Sequence, residues 1–147
     1  MIYVSASRKT HGEPQGTRAK GVSKMKETTA RQIENMKNQT IGVGIEMYNI
    51  SRHKAAQIAA DFFGTGRYED TAGRNGYSAW SAWDAEGREW KFQRDVSIVA
   101  RNDNERTELV TPILGYEDIE LLQELLRRLR RKGAKSDPAH MCGIHYA

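Results

Sequence analysis

The sequence predicts an α+β domain, built on a largely antiparallel sheet with helices packed on one face. Three observations predict it: a strictly alternating stretch at residues 40–48, a hairpin pattern at residues 77–94, and amphipathic helical patterns at residues 51–63 and 117–132. A hairpin joins neighbouring antiparallel strands, and an amphipathic helix needs an apolar surface to cover. These elements are therefore expected to combine into one sheet with a helical layer.

The first strand is predicted from side chains that alternate between two faces. Its apolar side chains point one way, and they are Ile41, Val43, Ile45 and Met47. Its other face carries Thr40, Gly42, Gly44, Glu46 and Tyr48. Because glycines occupy two alternate positions of this second face, we expect it to be open to the approach of another group.

A helix is predicted over residues 51–63. Ser51 is its expected N-cap, Ile58 and Phe62 fall four residues apart on one side, and Gly64 is expected to end it in the left-handed conformation. Residues 65–76 are polar and rich in glycine, which predicts a loop.

Residues 77–83 and 88–94 predict two strands joined by a turn at residues 84–87. On the second strand Trp90 and Phe92 share one face, and the opposite face carries Glu89, Lys91, Gln93 and Asp95. We interpret the three tryptophans as core and sheet packing; stacking on a nucleotide base is the alternative.

The remaining elements follow in order. Residues 100–106 predict a turn, and residues 107–113 predict a strand that ends near Pro112. Residues 117–132 predict a helix with acids in its first turn and arginines in its last, and its apolar stripe comprises Ile119, Leu122, Leu125, Leu126 and Leu129. The arginines are interpreted as a solvated helix end, a phosphate site being the alternative. Residues 139–146 predict a last strand.

The charge distribution divides the chain into a basic extension, residues 1–38, and a domain, residues 39–147. The extension has eight Lys or Arg against three Glu, whereas the rest has fifteen against sixteen acids, so the basic character lies in the extension. Nucleic-acid binding by the folded part is therefore not expected. We expect residues 1–24 to be disordered and residues 25–37 to form a short helix capped by Thr28 or Thr29.

The composition also bears on location and redox chemistry. The sequence has no long apolar segment, which predicts no membrane span, and its first residues lack the apolar core of a secretory signal. Cys142 is the only cysteine, so an intrachain disulfide is impossible. We expect a cytoplasmic protein in which Cys142 is a small buried residue.

Three acids lie on or beside predicted strands, where acids are usually depleted: Glu46, Asp95 and Glu108. If the strands are neighbours, these carboxylates converge on one surface, and carboxylate oxygens suit Mg²⁺ together with nucleotide phosphates. The alternative is solvent exposure, or ion pairs with Lys91, Arg94 or Arg106. His145 is a candidate for metal or phosphate contact, against an ordinary structural role. No P-loop and no nucleophile elbow occurs.

Four short motifs in order resemble those of the amidoligase family. They are Gly-Val-Gly-Ile-Glu-Met at residues 42–47, Trp-Lys-Phe and Asp-Val-Ser-Ile at 90–92 and 95–98, Glu-Leu-Val-Thr-Pro at 108–112, and Cys-Gly-Ile-His at 142–145. The resemblance also includes the leucine-rich helix at residues 116–132, and it extends over residues 39–146.

The resemblance implies part of a glutamine-synthetase-like catalytic fold, shared with glutamate–cysteine ligase. It implies ATP and Mg²⁺ as cofactors, and an ATP-dependent joining of a small-molecule or peptide carboxylate to an amine through an acyl phosphate. Carried over by position, Glu46, Asp95 and Glu108 would be catalytic and metal-binding residues. Ser97 would support that site, and His145 would lie near the nucleotide phosphates.

The sequence departs from the family pattern at two positions. The first glutamate of the strand motif is Gly44 here, and the second histidine of the last motif falls at Ala147. We therefore expect a truncated or degenerate ligase that is inactive by itself and able to self-associate through uncovered apolar surface. The alternative is a non-catalytic binding module whose basic tail contacts an acidic partner or nucleic acid.

Overall fold

The computed structural model of the protein describes residues 4–7 and 22–146, and the side chains of residues 27–145. Its strands are β1 (Val4–Ser7), β2 (Thr40–Met47), β3 (Tyr68–Asp70), β4 (Trp80–Trp83), β5 (Glu89–Gln93), β6 (Thr107–Val110) and β7 (Ile144–Tyr146). Its α-helices are α1 (Val22–Lys37), α2 (Arg52–Phe63), α3 (Ala72–Asn75) and α4 (Ile119–Arg131). Short 3₁₀ turns occupy Asp103–Glu105, Tyr116–Asp118 and Pro138–His140.

The seven strands of the described residues form one antiparallel sheet, which confirms the predicted α+β class. The strand order is β1-β2-β6-β5-β4-β3, and β7 also pairs with β2. Each strand therefore alternates between two faces. We call the face that carries Ile45, Leu109 and Phe92 the helix face, and the face that carries Glu46, Glu108 and Gln93 the carboxylate face.

Helices α2 and α4 pack on the helix face and enclose the core. Alanines 55, 56, 59 and 60 of α2 are fully buried, as are Trp90 and Phe92 of β5. Leu125 and Leu129 of α4 are buried as the apolar stripe predicted. The small alanine side chains let α2 lie close to the sheet. The large rings of Trp90 and Phe92 fill the space that remains between the two layers.

The ends of α2 follow the predicted capping chemistry. The Ser51 hydroxyl accepts a hydrogen bond from the Lys54 backbone N–H at 3.1 Å, and Gly64 adopts φ 78° at the other end. The left-handed conformation is unfavourable for residues with a side chain, because the Cβ atom meets the backbone. Glycine has no Cβ atom and adopts it without this cost. The sequence therefore defined both boundaries of this helix correctly.

Several predictions about the less regular segments were wrong. The expected loop at residues 65–76 contains β3 and α3, because Thr71 anchors the segment by a hydroxyl contact to Ser81 at 2.8 Å. Helix α1 begins at Val22, so Thr28 and Thr29 lie inside it rather than at its cap. Residues 4–7 pair with β2, although composition predicted disorder there. The rest of that expectation lies outside the described residues.

No helix among the described residues has the length and apolar character needed to cross a bilayer.

A buried ionic cluster joins the hairpin turn to the start of α4. The Asp84 carboxylate accepts hydrogen bonds from Arg88 Nε at 2.8 Å and from Trp90 Nε1 at 2.9 Å. Arg88 also donates to both carboxylate oxygens of Asp118, at 2.8 and 2.9 Å. Burial alone would raise the pKa of Asp84, but the donors from Trp90 and Arg88 lower it on balance. The hydrogen bonds from Arg88 likewise lower the pKa of Asp118.

We predict that Asp84→Asn lowers the free energy of unfolding by about 3 kcal/mol at pH 7, because it leaves the Arg88 charge partly unpaired in the interior. A lowered native pKa stabilises the fold above the unfolded value of about 3.9, and this contribution is lost as the pH falls through the native pKa. The deficit of the variant should therefore shrink in acid. Urea unfolding followed by tryptophan fluorescence measures both effects.

The control for this prediction is Glu124→Gln, which removes an exposed ion pair with Arg127. It should change stability by less than about 0.5 kcal/mol. Equal losses in the two variants would contradict the assigned role of the buried cluster.

Candidate functional site

The pairing of β2 with β6 brings two predicted site residues together. Glu46 and Glu108 are direct Cα partners in this antiparallel ladder. Side chains at such positions share a face, and their Cβ atoms lie about 5 Å apart. Both carboxylates are buried, with Glu46 at 0% and Glu108 at 7% exposure. The carboxylate face therefore holds two acids side by side and away from water.

Gln93 of β5 continues this row across the sheet. It is the Cα partner of Glu108, and its Nε2 donates to Glu108 Oε2 at 3.4 Å. The sequence pattern placed Gln93 on the correct face but did not mark it as part of the site. Its position two residues before Asp95 on an alternating strand is the signal that could have identified it.

Asp95 lies past the end of β5 rather than on it, since the strand ends at Gln93. Its Oδ1 accepts hydrogen bonds from the Ser97 backbone N–H at 2.8 Å and from the Ser97 hydroxyl at 2.6 Å. Ser97 thus fixes the turn that presents Asp95. The Asp95 charge adds to the rise in the pKa of Glu108 and opposes the burial that lowers the pKa of His145.

The pKa of Glu108 is raised on balance. Burial is the largest cause, the Gln93 hydrogen bond opposes it, and the negative charge of Asp95 adds to it. A carboxylate in this position lacks the solvation that water would give it, and it faces a second acid across the ladder. A cation placed between the two carboxylates would relieve both effects.

The arginines near the site are engaged elsewhere. Arg94 and Arg106 both pair with Asp103, at 2.8 and 2.7 Å, instead of with the predicted site carboxylates. Buried Arg52 donates to the backbone oxygens of Ser78, Asp103 and Arg106 and so secures the loop that follows β5. The structure therefore does not show the alternative in which Arg94 or Arg106 forms an ion pair with the predicted site acids.

His145 occupies the next row of the carboxylate face. It is the Cα partner of Gly44 on β2, while Gly44 also faces Val110 of β6. Glu46 is two residues along the same strand and on the same face. Burial lowers the pKa of His145, and the Asp95 charge acts in the opposite direction.

The segment at residues 135–143, which precedes β7 and which we call the crossing segment, contributes a backbone donor. The Gly143 N–H donates to Glu46 Oε2 at 3.3 Å, and the Ser136 hydroxyl donates to the Glu46 backbone oxygen at 2.8 Å. The sequence singled out the motif at residues 142–145 only for its histidine. Its glycine has a role that depends on the backbone N–H, which side-chain patterns do not show.

A side-chain cluster fastens this crossing segment. Tyr48 Oη donates to Asp137 Oδ2 at 2.5 Å, and His140 Nδ1 lies 2.8 Å from Asp137 Oδ1. The Tyr48 and His140 rings stack at 3.8 Å between centroids. The hydrogen bond with Tyr48 lowers the pKa of Asp137 to about 2 and raises that of Tyr48 to about 12. Cys142 is buried nearby, as predicted, and burial raises the pKa of its thiol.

The donor set suits a hard divalent cation that shares its coordination shell with a ligand. Within residues 27–145, no group of three or more His, Cys, Asp or Glu is arranged to hold a metal ion. Two carboxylates are nevertheless what Mg²⁺ commonly takes from a protein, the other ligands being water and phosphate oxygens. The pair of Glu46 and Glu108 fits this mode of binding.

A protein-family model described as "Putative amidoligase enzyme" matches residues 37–146, which is more than half of the chain. The chain belongs to this amidoligase family. No curated protein and no solved structure gave a match. The candidate site, where β2, β6 and β7 meet, lies within the matched residues, and the glutamine-synthetase-like fold stays a prediction.

We predict that Glu108→Gln stabilises the protein at pH 7.5 by up to about 1 kcal/mol, the size of a cross-strand interaction. A raised native pKa gives stability that is fully present below the unfolded value of about 4.3 and is lost as the pH rises through the native pKa. Glutamine removes that loss, so the variant and the original protein should be equally stable at pH 3.5. Urea unfolding at the two pH values measures the difference.

Glu69→Gln is the matched control, since Glu69 is an exposed acid on β3. It should leave stability unchanged at both pH values. A Glu108→Gln protein less stable than the original at pH 7.5 would show that the buried carboxylate is compensated inside the protein.

Proposed function

We propose that the carboxylate face binds a magnesium–ATP complex for the ATP-dependent joining of a carboxylate to an amine. The observation that carries the proposal is the direct cross-strand pairing of buried Glu46 with Glu108. Family membership supports amide-bond formation as the reaction class. The expected substrates are a small-molecule or peptide carboxylate and an amine.

The residues of the site have complementary roles in this proposal. Glu46 and Glu108 would hold the magnesium ion, and Gln93 and the Gly143 N–H orient the two carboxylates. Asp95, held by Ser97, adds negative charge at the edge of the site. His145 lies on the same face, where it would contact the phosphates. Bound magnesium supplies charge neutralisation at the transferring phosphoryl group.

The proposed reaction has two steps. A substrate carboxylate oxygen forms a bond to the γ-phosphorus of ATP while the bond to the bridging oxygen breaks, which gives ADP and an acyl phosphate. The amine nitrogen then attacks the carbonyl carbon, phosphate leaves, and the nitrogen loses a proton. Rigid strands favour both steps because fixed charges lose little free energy to reorganisation.

We predict that ATP binds in the presence of Mg²⁺ and that Glu108→Gln and Glu46→Gln each weaken this binding by about tenfold or more, since each removes one charged metal ligand. Isothermal titration calorimetry with ATP, with and without Mg²⁺, measures it. The exposed control Glu69→Gln should bind as the original does. Equal ATP affinity in the original protein and its three variants, or an ATP affinity that does not depend on Mg²⁺, would refute the proposed metal site.

Position 44 provides a second test of the metal assignment. Gly44 lies in the extended strand β2, two residues from Glu46 and on the same face, where the family motif has its first glutamate. Because Gly44 supplies no carboxylate, we predict little ADP release by the original chain with candidate carboxylates and amines.

We expect Gly44→Glu to tighten Mg²⁺-dependent ATP binding by about tenfold, as a further charged ligand would. Gly42→Glu is the matched control on the same strand and face, one row further from Glu46, and it should have a smaller effect. A tighter complex in neither variant, or in both equally, would contradict a metal site that includes position 44.

A further inference from the structure

A cavity lies on the other side of β2 from Glu46, between that strand, α4 and the crossing segment. Its volume is about 520 Å³, and Ile45, Met47, Leu126, Leu129, Ala134 and Ile144 give it apolar walls. This volume is in the range of small-molecule sites, roughly 300–1,000 Å³. Ile45 and Met47 point away from Glu46, because neighbouring strand residues face opposite sides.

The mouth of the cavity is cationic. Arg130 and Lys135 lie on its rim, both exposed, and neither forms an ion pair with another described side chain. Residues 127–135 contain six Lys or Arg and no acid. Arg127 pairs with Glu124 and Arg128 lies over the Phe62 ring, so Arg130 and Lys135 are the cations that face the cavity itself.

Asp137 is the one acid among the residues that line the cavity, and its charge is outnumbered there by Arg130 and Lys135. Asp137 Oδ2 accepts a hydrogen bond from Tyr48 Oη at 2.5 Å, and Asp137 Oδ1 accepts one from the His140 backbone N–H at 3.0 Å and lies 2.8 Å from His140 Nδ1. Its carboxylate is therefore committed to the side chains that fasten the crossing segment. Arg130 and Lys135 keep their donors for a ligand.

We propose that this cavity binds a carboxylate with an apolar tail, with the tail against Ile45, Leu126 and Ile144 and the carboxylate at Arg130 and Lys135. The apolar walls favour burial of a hydrocarbon chain, at about 0.8 kcal/mol per methylene group. Charge-assisted hydrogen bonds to a guanidinium and an ammonium select an anionic head group over a neutral or cationic one. This site is independent of the proposed ligase function.

Dodecanoate, kept below its micelle concentration, is the probe, and isothermal titration calorimetry is the measurement. We expect saturable binding at one site per chain. Acetate, which has the head group without the tail, should not bind. Dodecyltrimethylammonium, which has the tail with the opposite charge, should bind at least about tenfold more weakly.

Two pairs of variants test the two halves of the cavity. Arg130→Glu should weaken dodecanoate binding by about tenfold or more, whereas Arg131→Glu makes the same charge change on the same helix outside the cavity and should have less than about a threefold effect. Ile144→Glu should abolish binding of the tail, whereas Ile113→Glu should not. Ile144 and Ile113 are 58% and 69% exposed, so both variants are expected to fold.

Three results would overturn the proposal. They are equal losses in Arg130→Glu and Arg131→Glu, equal binding of the anionic and cationic amphiphiles, or no saturable binding of dodecanoate. Size-exclusion chromatography adds one more: a dimer that persists in dodecanoate but dissociates in Ile144→Glu would identify the cavity as an interface between copies. Arg130→Glu should bind ATP as the original protein does. A failure of the cavity proposal can therefore be distinguished from a failure of the ligase proposal.

Discussion

The pairing register of β2 with β6 is the constraint on which the rest of the site depends. It places Glu46 opposite Glu108 on one face and Ile45 opposite Leu109 on the other. A shift by one residue would exchange the two faces, because side chains alternate strictly along a strand. The burial of Ile45 and Leu109 against the helices therefore fixes the carboxylates as well. Core packing and site geometry have the same cause.

The carboxylate pair and the ionic cluster at the hairpin turn place buried acids in different surroundings. Glu46 lies opposite another acid, Glu108, whereas Asp84 and Asp118 both accept hydrogen bonds from Arg88 at the hairpin turn. Burying a charge costs less free energy when the charge is paired and hydrogen-bonded. The contrast separates an ionic cluster within the fold from the carboxylate pair that we propose as a metal site.

The crossing segment at residues 135–143 connects the two faces of β2. One side of it lines the cavity through Lys135 and Asp137, and its end donates the Gly143 N–H to Glu46. The stacked Tyr48 and His140 rings hold it in place. A ligand in the cavity and a ligand at the carboxylates would thus lie near opposite ends of this segment, on opposite sides of β2.

The sequence by itself determined the elements with regular periods: β2, α2, the hairpin of β4 and β5, and α4. Their apolar repeats and caps are local, so the residues that form them also specify them. It also marked Glu46 and Glu108, since acids on alternating strands are unusual. Only the tertiary structure decided that these two are direct partners, because register depends on packing against the helices. The same holds for the Gly143 N–H, for Asp95 beyond the end of β5, and for β3, whose strand pairing comes from contacts with β4 and not from its own polar sequence.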